Sequence, residues 1–217
     1  MIRRHEPATS SRMSARVLVL TLPLTLPLAL PLALGGCAPT AFGLAASAGA
    51  TTGVAAWEER GLKGAVNDTV VRAQIGDAWF QRDVDMFREV NLDVYEGRVM
   101  LTGAVPSRKA REDSVRLARA VPGVRDVIDE IQPDGATITD IARDTWITTQ
   151  LRSRLTFDKQ VQSINYSIVT VNGAVYIIGI AQDQAELDRV IDQARRLGYV
   201  KRVVSHVLLR DDPRRFG

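Results

Sequence analysis

The chain of 217 residues is poor in the side chains that carry most protein chemistry: one cysteine, two histidines and 6% aromatics. A single cysteine, Cys37, excludes an intramolecular disulfide framework. His5 lies in the apparent leader and His206 near the C-terminus, so the sequence offers no pair of imidazoles at ligand spacing for a zinc site. Neither a Gly-x-Ser-x-Gly elbow nor a P-loop occurs, which removes the commonest signatures of serine hydrolases and nucleotide phosphate binding. The adjacent pairs Glu58-Glu59 and Asp211-Asp212 point in different directions on any regular element and read as solvated. No catalytic residue, no metal and no cofactor are expected, and the chain is not expected to be an enzyme.

A clean transmembrane run is missing too. Val17 to Leu34 carries no charge, but Pro23, Pro27 and Pro31 each remove a helix hydrogen bond and clash with the preceding turn. Arg12 and Arg16 precede the run and small residues end it, which is the layout of a signal peptide. Met13 is a second possible start. The run closes on Leu34-Gly35-Gly36-Cys37, which resembles the lipobox of bacterial lipoprotein precursors and implies that Cys37 becomes the acylated first residue of the mature chain. An ordinary signal peptide cleaved near Gly36, leaving a free thiol, remains open. Lipidation accounts better for a lone cysteine in an exported protein.

Charge of one sign is lacking once residues 1–36 are set aside. The 28 basic and 25 acidic residues then fall to 24 of each, so the basic character belongs to the leader. An asymmetry survives: Ala38 to Thr139 carries 12 basic and 15 acidic residues, Asp140 to Gly217 carries 12 and 9. The second half is the one an anionic surface attracts. Residues from Cys37 to about Ala56 are mostly Ala, Gly, Ser and Thr, too little apolar surface to fix themselves, and a tether over 37–66 is expected. A short helix packed on the first domain through Val54, Trp57 and Leu62 is the alternative.

An internal repeat sets the architecture. Asn91 to Gly103 returns as Ser167 to Gly179, and the same ungapped offset of 76 pairs Asp68-Thr69 with Asp144-Thr145, Gln74 with Gln150, and Ala118-Arg119 with Ala194-Arg195. The spacing predicts domains over 67–133 and 139–210, a turn-forming linker at 134–138 after Pro133, and a tail at 211–217. Within each copy the signals run helix, strand, strand, helix, strand. Val71, Ile75 and Trp79, or Ile147, Leu151 and Leu155, line one face of the first helix. A hairpin turns at Glu96-Gly97 or Asn172-Gly173. Val99 and Leu101, like Val175 and Ile177, alternate as on a strand with one buried face. Ser107 and Asp183 precede the second helices as caps, with Glu186 at capping-box spacing. The fold class is therefore α+β: two tandem αββαβ units, each a three-stranded mixed sheet packed against two helices, with a right-handed crossover and one unit expected to pack on the other.

The glycine-bounded hairpin, the helix after Gly103 or Gly179, and the Pro122-Gly123-Val124 or Gly198-Tyr199-Val200 lead into the last strand resemble BON domains. Two such domains behind a lipobox are similar to dual-BON outer-membrane lipoproteins, with Asp144 to Leu155 the nearest match. The resemblance implies a non-enzymatic, periplasm-facing lipoprotein of the outer membrane that binds anionic phospholipid through its second BON domain and supports membrane integrity. Ala38 after the cysteine resembles the sorting context of outer-membrane lipoproteins. In the first copy Val70, Gly76 and Ala78 stand where the second has Trp146, Arg152 and Arg154, so the two domains are not equivalent.

Helical geometry singles out the same residues. With the core stripe of Ile147, Leu151 and Leu155 centred near 40°, Trp146 falls near 260° at about 100° per residue, among Ala142, Thr149, Gln150 and Ser153. Indole favours the headgroup layer, and Arg143, Arg152 and Arg154 add attraction. Trp146, Arg143, Thr149, Arg152 and Arg154 are the candidate phospholipid-binding residues, and Cys37 the lipidation site. Two other outcomes stay open: Trp146 buried against the first domain, and Arg152 and Arg154 merely solvated. Expected partners are an anionic phospholipid membrane and envelope proteins held through the same face. Nucleic acid is not expected, since the mature charge is neutral and no glycine clamp or aromatic platform follows a basic strand.

Overall fold

The computed structural model describes residues 57–105, 107–132 and 138–216. The expected signal peptide, the expected lipidation site Cys37, most of the expected tether and most of the expected linker lie outside the described residues. The elements run α1 Gly61–Arg82, α2 Val84–Glu89, β1 Val90–Tyr95, β2 Arg98–Ala104, α3 Arg108–Arg119 and β3 Asp126–Gln132 in the first domain. The second has α4 Ile138–Phe157, a 3-10 turn Ser163–Asn165, β4 Tyr166–Val171, β5 Ala174–Ala181, α5 Gln184–Arg195 and β6 Arg202–Leu209. A last 3-10 turn, Pro213–Arg215, ends the described chain.

The αββαβ order holds in both domains, with one addition and one shift. Helix α2 precedes β1 because the Asp83 carboxylate accepts the amide of Asp85 at 2.9 Å, capping a new helix where α1 stops. Helix α1 itself begins at Gly61, within the stretch read as tether. Each sheet is three-stranded and mixed: β1 pairs antiparallel with β2, which pairs parallel with β3, and β4, β5 and β6 repeat the pattern. Ser107 caps α3 and Asp183 caps α5, each side chain accepting the amide three residues on. Glu186 accepts the amides of Gln162 and Gln182, tying the start of α5 to the loop before the 3-10 turn.

The hairpins show why the repeat keeps its odd residues. Glu96-Gly97 and Asn172-Gly173 all have φ between 51° and 79°, the left-handed region that two-residue turns require. A buried carboxylate from the first helix anchors each turn: Asp68 accepts the amides of Glu96 and Gly97, Asp144 those of Asn172 and Gly173, at 2.6–2.8 Å. At Gly179 a Cβ would sit 2.0 Å from the Asn165 carbonyl oxygen, so no side chain fits.

Three apolar clusters hold the molecule. One lies under α1 and α3 around Val71, Ile75, Trp79, Val99 and Leu101; a second lies under α4 and α5 around Ile147, Leu151, Leu155, Val175 and Ile177. A third joins the opposite faces of the two sheets through Tyr95, Met100, Val171, Tyr176, Ile178 and Ile180. The domains therefore meet sheet to sheet, and their helices form the two outer layers. This corrects the expectation of one buried strand face: β5 is buried along its whole length, because its second face packs on the other domain. Each such Ile or Leu is worth roughly 1.5–3 kcal/mol of burial.

Polar contacts seal the seam. Gln132 Nε2 donates to the Val171 carbonyl and to the Tyr176 hydroxyl, both at 3.1 Å, and Ser167 donates to Asp93. His206 pairs with Glu130 of the first domain at 2.9 Å. The tail crosses back: Arg215 forms an ion pair with Glu96 at 2.7 Å, and Arg125 donates to the carbonyls of Arg214 and Arg215.

Candidate functional site

Helix α4 turns its apolar stripe inward and leaves its other faces uncovered. Ile147, Leu151 and Leu155 are at most 1% exposed, whereas Trp146 is 43% exposed. The indole is not sealed beneath the first domain, because the domains join through their sheets and α4 lies in an outer layer.

The structure adds two rings to the indole. Tyr199, in the loop between α5 and β6, meets Trp146 edge to face with centroids 5.8 Å apart and planes at 81°. The Arg143 guanidinium stands 5.7 Å from the Tyr199 ring centroid and within 3.9 Å of Asp140. Phe157, 83% exposed, ends the helix eleven residues after Trp146. Eleven residues make about three turns, so the two rings lie on one line along α4, about 16 Å apart. Arg143 and Arg154 have the same spacing and form a second line beside the first, with Arg154 exposed. Between the rings stand Gln150 and Ser153, short or neutral groups.

The other predicted residues are placed differently. Arg152 lies on the opposite flank of Trp146, where its guanidinium donates to the Ile168 carbonyl of edge strand β4 at 2.9 Å. Thr149 and Arg152 line a groove of about 800 Å³ shared with Arg88 and Asn91 of the first domain. The five predicted residues thus split into two groups: Arg143, Trp146 and Arg154 around the aromatic line, Thr149 and Arg152 beside the interdomain groove.

Tyr199 and Phe157 are functional candidates that pattern reasoning on α4 missed. A signal for Tyr199 was present in the repeat, because its counterpart at the offset of 76 is Gly123. Gly123 has φ 91° and Tyr199 has φ 68°. A bulky residue in the left-handed region is uncommon and costs free energy, on the order of 1–3 kcal/mol. Position 199 thus keeps a strained backbone in exchange for an exposed aromatic ring.

Among the described residues no group of three or more His, Cys, Asp or Glu is placed to hold a metal ion, and no helix is long and apolar enough to cross a membrane. What the α4 surface offers is an aromatic line flanked by cations, an arrangement suited to an interface that is apolar below and anionic above.

Comparison with known proteins agrees with this architecture. The chain is 37% identical over 147 residues to the "uncharacterized protein in gshII 5′region" of Anaplasma centrale, covering 67% of this chain and 96% of that one. It is 29% identical over 161 residues to "outer membrane lipoprotein DolP" of Haemophilus influenzae, covering 72% and 82% respectively. A third relative, the "21 kDa hemolysin" of Actinobacillus pleuropneumoniae, is 29% identical over 143 residues, covering 64% of this chain and 73% of its own. The BON domain model matches twice, over 65–133 and 143–211, the two sheet-and-helix units described above, and the chain is a dual-domain member of the BON family resembling DolP.

Proposed function

We propose that this protein is a non-enzymatic envelope lipoprotein, held in the outer membrane by acyl chains on Cys37 and facing the periplasm. Its second BON domain rests on anionic phospholipid through α4 and supports the integrity of that membrane. The observation that carries this reading is the Trp146–Tyr199 pair, exposed on an outer layer of the molecule and kept there at the cost of a positive φ at Tyr199. Trp146 and Phe157, three turns apart, would let α4 lie flat in the headgroup layer, with Arg143 and Arg154 reaching phosphate along one side. The resemblance to a relative named as an outer membrane lipoprotein supports the location.

Magnitudes fit a two-signal attachment. Each cation near an anionic leaflet contributes roughly 1 kcal/mol, so α4 alone binds transiently. Acyl chains supply standing attachment, and the domain then meets lipid at high effective concentration. Thr149 and Arg152 would act beside this surface, with Arg152 chiefly fixing β4 against α4.

The described residues of the three apolar clusters all follow Ala38, so a chain starting there retains them. Cosedimentation of that chain with phosphatidylglycerol-containing vesicles, compared with purely zwitterionic ones, tests the proposal. Preferential binding to the anionic vesicles that weakens with salt is expected. Equal partition between the two would remove the lipid reading and leave a protein-holding role for the same face.

A further inference from the structure

Side chains of β2 alternate between the two faces of the first sheet, and Met100 faces the other domain, so Arg98, two positions before it, starts on the same seam face. A pocket of about 480 Å³ lies there at the rim of the seam, lined by Arg98, Arg125, Asp126, Leu208 and Arg214. Three of the five are arginines, and they come from three separate segments: the start of β2, the residue before β3, and the tail. Arg125 is fixed by its bonds to the tail carbonyls, and Arg214 by its ion pair with Asp212 at 2.6 Å. Arg98 is half-buried, yet among the described residues its guanidinium has no hydrogen bond and no ion pair. Burial above all lowers its pKa from the usual guanidinium value; Asp126 opposes that shift and Arg214 adds to it.

We propose that this pocket is an anion site that takes a phosphate-class oxyanion, free or carried as a lipid headgroup, with Arg98 as its central ligand. A partly desolvated cation without a partner is a cost to the fold, and an entering oxyanion offsets it. Guanidinium groups arriving from three segments suit a tetrahedral oxyanion, whose oxygens point apart, whereas a planar carboxylate is satisfied by a single fork. Three arginines stand against two carboxylates, Asp126 and Asp212, so one positive charge is in excess and a singly charged phosphate ester neutralises it. Asp126 then serves as acceptor for a hydroxyl of the ligand or for the acid proton of a phosphate.

The other end of the seam closes on itself. At the offset of 76, Ala174 and Arg202 stand where Arg98 and Asp126 do. Arg202 donates to the Tyr176 hydroxyl at 2.7 Å, and the same hydroxyl accepts from Gln132 at 3.1 Å. There the arginine finds its acceptor within the chain; at the Arg98 end the acceptor has to come from outside. The pocket shares no residue with the α4 surface and does not rest on the reading of that surface as a lipid contact.

Thermal melts of the chain starting at Ala38 test it, in phosphate-free buffer and with inorganic phosphate or glycerophosphoglycerol added at matched ionic strength. The wild-type melting temperature should rise with the anion and saturate, as linkage to a single site requires. Without anion, Arg98→Met should melt no lower than the wild type, because it loses an unpartnered half-buried charge and no bond. With anion, its apparent affinity should fall by about tenfold or more. Arg214→Gln, at an exposed position, should weaken the response in the same direction, and Lys159→Gln, exposed on the loop after α4, should leave it unchanged. A saturable response to inorganic phosphate that Arg98→Met loses supports a free anion as ligand. The same loss seen with glycerophosphoglycerol alone, the headgroup without its acyl chains, supports a lipid headgroup. No saturable rise with either probe, or a rise that Arg98→Met retains, would overturn the proposal. So would an Arg98→Met chain that melts well below the wild type without anion, since Arg98 would then be a structural group.

Discussion

Glu130 Oε1 and His206 Nε2 lie 2.9 Å apart across the domain seam, and the two residues hold the same position in the two repeats, 76 apart. Contact between equivalent positions of two copies marks a local two-fold relationship, the intrachain counterpart of an isologous interface. The domains share one sheet-to-sheet core, and their first helices, α1 and α4, stand in opposite outer layers. The two outer surfaces differ along most of their length, with Val70 standing against Trp146 and Gly123 against Tyr199.

The hairpin anchor is the first point open to test. Asp144 is buried and accepts two backbone amides, so Asp144→Ala removes two charge-assisted hydrogen bonds and leaves both donors unpaired. A loss of about 3 kcal/mol is expected from chemical denaturation, and Asp144→Asn should recover part of it.

Gly179 should tolerate no side chain. Its φ of 152° and the approach of the Asn165 carbonyl oxygen mean that Gly179→Ala has to displace the start of β4. At least about 3 kcal/mol of destabilisation, or failure to accumulate folded protein, is expected. Gly198, whose Cβ would meet nothing within 4 Å, is the control: Gly198→Ala should cost little.

The tail gives a pH prediction with a definite sign. The Arg214 side chain, and after it the Arg214 amide, hold the Asp212 carboxyl at about 2, below its usual range. A carboxyl depressed in the folded state contributes stability that is present above its unfolded value and lost as pH falls through about 2. Carbon-detected NMR of the side-chain carboxyl should show a midpoint near 2 in the wild type, and Arg214→Ala should move it toward about 4.

Much of this architecture is legible in the sequence because it is written in periodicity. The inward stripes of α1 and α4 follow from residues four apart, and the outward direction of Trp146 follows from the same arithmetic. Helix α2 was not legible, since Val84 to Glu89 is too short to show a period and is set by the Asp83 cap. The two-sided burial of β5 was hidden for a different reason: Ala174 to Ala181 is apolar at nearly every position, and only the partner sheet explains both faces. The anchoring role of Asp68 and Asp144 was visible as a repeated residue but not as a bond, because each turn lies 28 or 29 residues away in sequence. Tyr199 is legible only through its counterpart Gly123, because what sets it apart is a backbone angle.

The three tryptophans make one measurement unusually direct. Trp79 is 1% exposed and donates to the Ser114 carbonyl, so it reports the core of the first domain; Trp57 is 82% exposed and Trp146 43%. In a Trp57→Phe chain starting at Ala38, the emission that responds to a surface comes from Trp146. Adding anionic vesicles should shift that emission to the blue and protect it from acrylamide, with little response to zwitterionic vesicles and none in the Trp57→Phe, Trp146→Phe double variant. An unaltered spectrum in the presence of anionic vesicles would contradict the docking of α4 on phospholipid.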